Sequence, residues 1–337
     1  DDADPPQVAV FYGGNDGVLR AINGNRTTAI GTVAAGQELW AFVAPEFFGN
    51  IKRLRNNNVE ISFTGNTTAD PVPQPKPYGL DGTISAYNYG TSTWIYSTAR
   101  RGSRVVYAFD VSTIHTDTSS PRVLWKVGCP NLGNDTDCTT GFSDIGQTWS
   151  APKVLKAAGY GSGTAPMLMM GGGYDNCEDG DPHTCTSSSK GRKVYVLDAQ
   201  TGAKLKEFDT DRSVAADVFV VPDTVSGQAK FAYVVDLGGN IYRIAGSSPN
   251  APIGSDLPAT WTITKIASLG CSTPSTLCAA NRKFMFATDV VEPPAPGSGV
   301  YHLLVGSGDR EKPLRVFDDA LGVSNEFFMV RDVPTKA

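Results

Sequence analysis

Apolar and polar positions alternate along this chain in short runs, with a period of two. The runs include "VLRAIN" (18–23), "ELWAFV" (38–43), "RVVYAFD" (104–110), "RVLWKV" (122–127), "KVYVLDAQTGAKLKEF" (193–208) and "FAYVVDLGGNIYRIA" (231–245). In each unit a strand rich in β-branched and aromatic side chains alternates for about five or six residues. It stops at an Asp or Asn, turns, and returns as a second run. That pattern predicts antiparallel hairpins. The turn that opens "YGGNDGVLRAIN" (12–23) packs Gly13, Gly14, Asn15, Asp16 and Gly17 together. Such a turn could cradle a phosphate, hold a cation or simply reverse the chain. A strand follows it, where a phosphate site would need a helix to open, so hairpin geometry is the reading here and at "DLGGN" (236–240).

The hairpins recur at an even pitch. From Asn23 to Asp110 is 87 residues and from Asp110 to Asp198 is 88. That is two units of about 44, the size of one four-stranded propeller blade. "TISAYNYGTSTWIYSTARR" (83–101) reads as the intermediate unit. At that size 337 residues make seven or eight blades, and ring closure would bury every blade face against a neighbour. The expectation is an all-β, modified seven-bladed β-propeller of quinoprotein-like type, forming a single domain over residues 1–337, with short inserted helices and long rim loops. An array of β-sandwiches is the alternative, although its strands need not repeat so evenly. "APEFFGNIKRLRNN" (44–57) departs from the pattern: Pro45 stands near its start and Phe47, Phe48, Ile51 and Leu54 follow at helical spacing, which predicts a short amphipathic helix. The segments 69–79, 246–259 and 292–299 are rich in Pro, Gly or Ser and read as loops.

Composition narrows the function classes. Gly (36) and Pro (22) are abundant, as a turn-rich β protein requires, and net charge is −5. The basic patches "IKRLR" (51–55) and "ARRGSR" (99–104) are too short to follow a phosphate backbone and read as solvated faces, so nucleic acid is not an expected partner. No apolar run approaches the ~18 residues of a membrane span. The opening "DDADPPQ" is no signal peptide and reads as the edge of an excised domain or mature chain. The six cysteines fall into close pairs, Cys129 with Cys138, Cys177 with Cys185 and Cys271 with Cys278, each bracketing a polar loop. Three local disulfides follow, and with them an oxidising compartment such as the periplasm or cell surface.

Candidate chemistry is sparse. "YDNCEDGDPHTC" (174–185) gathers carboxylates, of which Asp175, Asp179 and Asp181 are candidate calcium ligands, although the loop lacks the twelve-residue cation pattern. His183 in that loop is expected to face solvent. No GxSxG, HExxH or Walker pattern occurs, and His115, His183 and His302 are scattered. Trp40, Trp94, Trp125, Trp149 and Trp261 read mainly as packing between blades. A quinone stacked on one of them is the sharper alternative, weakened because no two cysteines are adjacent.

In order along the chain, "VFYGGNDGVLRAINGN", "YGLDGTISA", "RRGSRVVYAFDVS", "IGQTWSAPKVLK", "MLMMGGGYDN", "KVYVLDAQTGAKL", "VVDLGGNIYRI" and "HLLVGSGDRE" resemble segments of the C-terminal β-propeller domain of the PilC/PilY family, the tip-associated assembly factors and adhesins of bacterial type IV pili. The resemblance covers residues 10–311. It implies a domain of a larger protein whose N-terminal region is absent here. It also implies a non-enzymatic role in pilus biogenesis, twitching motility and adhesion, at a pilus tip or the outer membrane, reached through the periplasm. Pilus proteins such as minor pilins, or a host-cell surface, would be its partners. A periplasmic quinoprotein-like or polysaccharide-active propeller enzyme is the alternative. Some family members hold Ca²⁺ just before the element that "VVDLGGN" resembles. Here the corresponding loop, 222–230, puts Pro222, Thr224, Ser226 and Lys230 at the ligand positions and leaves Asp223 one residue out of register. The expectation is that this calcium site is lost and that the chain carries no cofactor. "SGDR" (307–310) is not an Arg-Gly-Asp motif.

Overall fold

The computed structural model describes residues 7–62, 70–116, 122–273, 278–293 and 299–334; the segments expected as loops at 69–79 and 292–299 lie partly outside them. The described strands form five antiparallel sheets, and the chain divides into two units, Asp1–Thr140 and Gly141–Ala337.

In the first unit β1 (Ala9–Gly13), β2 (Val18–Asn23) and β3 (Glu38–Val43) form a three-stranded meander. After a helical turn at Pro45–Phe47 and helix α1 (Phe48–Asn56), β4 (Ile84–Tyr89), β5 (Ser92–Thr98), β6 (Arg104–Asp110) and β7 (Arg122–Cys129) form a four-stranded one. The two sheets share a core in which Leu19 and Trp40 meet Ile95, Val105 and Phe109. Phe42 packs edge-on against Phe109 with ring centroids 5.0 Å apart.

The helix stands where its periodicity places it, but its apolar stripe is not covered as expected. Phe47 in the preceding turn is buried, whereas Phe48 is 57% exposed and Ile51 is also exposed. Neither basic patch is simply solvated. Arg53 donates to the carbonyls of Gln74 and Pro75. Arg104 is buried and donates to the carbonyls of Asn131 and Asn134 and to Asp135, so it holds the Cys129–Cys138 loop from within. A guanidinium has five donors in a fixed fork, and an adjacent loop of carbonyls satisfies them better than the sequence pattern suggests.

The second unit holds three sheets: β8 (Lys153–Leu155), β9 (Met167–Gly171), β10 (Lys193–Asp198) and β11 (Lys204–Asp209); β12 (Phe219–Pro222), β13 (Ala229–Val235), β14 (Asn240–Ala245) and β15 (Thr262–Ser268); and β16 (Asp289–Val291), β17 (Tyr301–Gly306) and β18 (Phe327–Asp332), with the single-turn helix α2 (Asp318–Leu321) before β18. Period-two geometry lets β13 serve two cores at once. Ala232 and Val234 face Met167, Met169, Val194 and Val196 of the preceding sheet; Phe231, Tyr233 and Val235 face Tyr301, Leu303 and Val305 of the following one. The last strand is pinned where Asp332 accepts from Tyr233 Oη at 2.7 Å and from Arg243 Nη1 at 2.5 and 2.7 Å. All three side chains are buried.

Each hairpin named in the sequence is present, but the pitch counts differently. Asn23, Asp110 and Asp198 close β2, β6 and β10, which belong to three successive sheets. The step of 87 or 88 residues is therefore one sheet plus inserted loops. Segment 83–101 is no separate unit; it supplies β4 and β5 to the sheet of β6 and β7. The described strands account for five sheets where the length divided by the pitch gave seven or eight units.

Candidate functional site

Three loops of the second unit meet around one buried ion cluster. The first follows β9. There Asp175 Oδ1 accepts from the Cys177 amide and opens a helical turn, Asn176–Asp179, closed by the Cys177–Cys185 disulfide. The turn presents Glu178, which is 0% exposed. The second loop follows β15, contains the Cys271–Cys278 disulfide and ends at Lys283; the third follows β17 and carries Asp309 and Lys312. Glu178 Oε1 lies 2.6 Å from Arg212 Nη2, and its Oε2 lies 2.9 Å from Lys283 Nζ. Lys283 also reaches Asp309 Oδ2 at 2.9 Å. Lys312 donates to the same oxygen at 3.0 Å and to the Glu178 carbonyl. Arg212 Nη1 donates to the Cys271 carbonyl at 3.1 Å, so one guanidinium joins both disulfide loops.

Electrostatics fix the protonation states. Burial pushes Glu178 up, but Lys283 and Arg212 overcome it and hold the carboxyl below its ordinary range. Asp309 behaves likewise: burial raises it, and Lys283 and Lys312 more than reverse the effect. Burial also works against Lys283, yet Glu178 and Asp309 hold it above the usual lysine range. Lys312 lies lower than usual, through burial and the neighbouring Lys283 ammonium.

A cavity of about 360 Å³ opens beside the cluster, with Asp181, His183, Asn281, Lys283, Asp309 and Lys312 in its wall. His183 corrects the sequence reading: it is 4% exposed, and its Nδ1 accepts from the Cys185 amide at 3.2 Å. The disulfide folds the loop back on itself, which turns the ring inward. The three candidate calcium carboxylates are spent on separate partners. Asp175 accepts from the amides of Cys177 and Lys190, Asp179 from Tyr174 Oη at 2.8 Å, and Asp181 from the amides of Asp319 and Ala320 at the start of α2. The two close groupings of potential ligand atoms among the described residues, Cys129–Asp135–Cys138 and Cys177–Glu178–Cys185, are built on sulfurs that are already disulfide-bonded.

The "DLGGN" turn has the hairpin geometry expected of it, and a hub that was not anticipated. Asp236 is fully buried, and its carboxylate accepts from the amides of Arg212, Gly238 and Asn240, from Asn240 Nδ2 and from Tyr242 Oη. Burial pushes its carboxyl up against those donors. The hub fixes the Arg212 backbone and so aims the guanidinium at Glu178. Beside the cluster, Trp149 stacks on Tyr174 at 4.6 Å and donates through Nε1 to Gln147 Oε1 at 3.1 Å. Trp40, Trp94, Trp125 and Trp261 are all buried in sheet cores or between them.

The loop at 222–230 is a tight hairpin turn. The Asp223 amide donates to the Gln228 carbonyl, and Asp223 Oδ1 accepts from the amides of Val225 and Ser226 and from Ser226 Oγ. Lys230 lies in β13, with Nζ 5.9 Å from the centre of the Tyr301 ring. An ammonium is not a calcium ligand, and the Asp223 oxygen already accepts three hydrogen bonds.

Fold and site together define a β-propeller-class protein with disulfide-braced loops at its polar cluster. Comparison with solved structures agrees. The chain superposes on the crystal structure of the Pseudomonas aeruginosa PilY1 C-terminal domain with a TM-score of 0.57, at 17% identity, over 97% of this chain and 58% of that one. It thus has a PilY1-like β-propeller fold and spans a little over half the length of that structure. Sqt1 of Saccharomyces cerevisiae (TM-score 0.42, 9% identity, 96% of this chain and 58% of that one) is also similar. So is the quinohemoprotein alcohol dehydrogenase ADHIIG of Pseudomonas putida HK5 (0.39, 12%, 98% and 50%). Overlap at these lower levels decides nothing about function. No protein-family model matches the chain, and no curated protein does. Among the described residues no helix is long and apolar enough to cross a membrane.

Proposed function

We propose that this chain is a non-enzymatic interaction domain of an exported, pilus-associated bacterial protein, acting at the pilus tip or outer membrane in pilus assembly, twitching and adhesion. It would do so through loops that bind pilus proteins or a host surface. The observation that carries the reading is the superposition on the PilY1 domain over 97% of this chain. Three disulfides fit export to an oxidising compartment. The charges support binding over catalysis in that Lys283, Asp309 and Lys312, which line the cavity, are already paired with one another or with Glu178. Loops held in one conformation lose less entropy when a partner docks.

The test is to delete the segment encoding this domain in its native host and score surface pili, twitching and adhesion separately. Loss of at least one is expected; a strain unchanged in all three would overturn the reading. A quinoprotein enzyme is tested on the purified protein by its absorbance spectrum, where a cofactor band beyond the aromatic envelope would favour that alternative.

The reading also has a calcium arm. Titration calorimetry should give no calcium binding tighter than millimolar at the 222–230 turn, and Asp223→Ala should leave the trace unchanged. Sub-millimolar binding abolished by that substitution would show the turn to be a working site.

A further inference from the structure

Arg310 occupies an unusual position among the charged residues of the third loop. Its neighbours Asp309 and Lys312 are locked into the ion cluster, and the loop backbone is tied down by the Ser307 amide on the Glu326 carbonyl and the Gly308 amide on the Lys283 carbonyl. The Arg310 guanidinium carbon lies 5.1 Å from the Trp149 ring centre and 4.9 Å from that of Phe286. Trp149 is itself held by stacking on Tyr174 and by a hydrogen bond to Gln147, which in turn donates to Asn176. A guanidinium over two rings is drawn to the electron-rich face of each. Arg310 therefore has a pose set by the two rings together with a peripheral ion pair to Glu311 at its Nε. Its Nε contacts Glu311 Oε1 at 3.4 Å, but among the described residues neither Nη1 nor Nη2 has a protein acceptor, and 37% of the side chain is exposed.

We propose that Arg310 is a carboxylate-recognition site, its terminal fork accepting a partner's carboxylate in a bidentate pair, with Phe286 as the apolar rim. Phe286 is 61% exposed, an aromatic left open beside a charged fork. It would cover the aliphatic stem of an acidic side chain or of a chain-terminal residue. A carboxylate fits better than a phosphate. One planar guanidinium matches one planar carboxylate, whereas a phosphate dianion calls for further cations, and Lys283 and Lys312 are already bonded to Glu178 and Asp309. Recognition of this kind is independent of any pilus role and stands or falls separately from it.

The test follows the Arg Nε–H signals of the whole chain by ¹⁵N–¹H NMR at constant ionic strength. Acetate should shift the Arg310 signal saturably, with a Kd of about millimolar. Two short peptides distinguish the sources: an amidated peptide with one Glu, and a peptide with a free C-terminus and no acidic side chain. Tighter binding of either supports the site and names its source. Arg310→Gln should abolish the response, and Arg310→Lys, which keeps charge but loses the fork, should weaken it at least tenfold. Should Arg310→Gln fail to fold, Phe286→Ser, at an exposed ring, should still weaken peptide binding more than acetate binding. No saturable shift, or inorganic phosphate binding more tightly than acetate, would overturn the assignment.

Discussion

Replacing Glu178 with alanine is expected to destabilise the second unit by about 3–5 kcal/mol, the usual cost of removing one partner from a buried ion pair. The substitution leaves Arg212 and Lys283 buried with their nearest carboxylate gone, and only Asp309 remains to face three cations. It also frees the two disulfide loops that Arg212 and Glu178 hold together. Urea denaturation followed by tryptophan fluorescence measures the change, and a loss below about 1 kcal/mol would show the cluster to be dispensable. The double variant Glu178→Ala/Lys283→Met should lose less than the two single changes combined, because contacting charges are not additive. The pH dependence has a definite sign. Glu178 and Asp309 are both held below the ordinary carboxylate range, so their contribution is complete above the unfolded value near pH 4.3. It declines as pH falls through their lower folded values. The variant should therefore show a flatter loss of stability below about pH 4 than the parent chain.

How much of this was legible in the sequence depends on range. Strands such as "KVYVLD" and "FAYVVD" announce themselves because a period of two is a local property, and the turns between them because Gly, Asn and Asp have local backbone reasons to be there. The pitch was misread as two units because a loop inserted between sheets and a strand within one add to it alike. The cluster was hidden for a further reason. Arg212, Lys283 and Lys312 look like any surface cations until the fold brings them to Glu178, across 34, 105 and 134 residues of chain. Asp236 was read as a turn residue, which it is, but its five donors come together only after β14 has folded back. The short motif "SGDREK" (307–312) carried part of the signal, since it holds the four charged residues Asp309, Arg310, Glu311 and Lys312, of which Asp309 and Lys312 enter the cluster. His183 went the other way: a disulfide eight residues long turned a polar side chain inward, which no local pattern encodes.

The second large effect is expected from the smallest change, Gly173→Ala. Gly173 follows β9 with φ at +106°, and a Cβ placed there would stand 2.2 Å from the Gln147 carbonyl oxygen. That oxygen accepts from the Tyr174 amide, while the Gln147 amide donates to the Tyr174 carbonyl and the Gly146 amide to that of Gly172. The neighbour is paired backbone and cannot swing aside as a side-chain end could. Strain at a positive φ costs about 1–3 kcal/mol and overpacking about 1–3 more, so a loss of about 3 kcal/mol or greater is expected. Any relief must move 146–149 away from 172–174, which would part Trp149 from Tyr174 and take the support from under Arg310. The same protein should thus lose both stability and the acetate response, whereas Arg310→Gln loses only the response. Gly36 is the control: φ there is +77° but nothing lies within 4 Å of an added Cβ, so alanine costs only the backbone strain, about 1–2 kcal/mol. Thermal melts of the two variants separate the contributions. If Gly173→Ala melts no lower than Gly36→Ala, the close backbone approach at 147 and 173 is not what sets the aromatic stack.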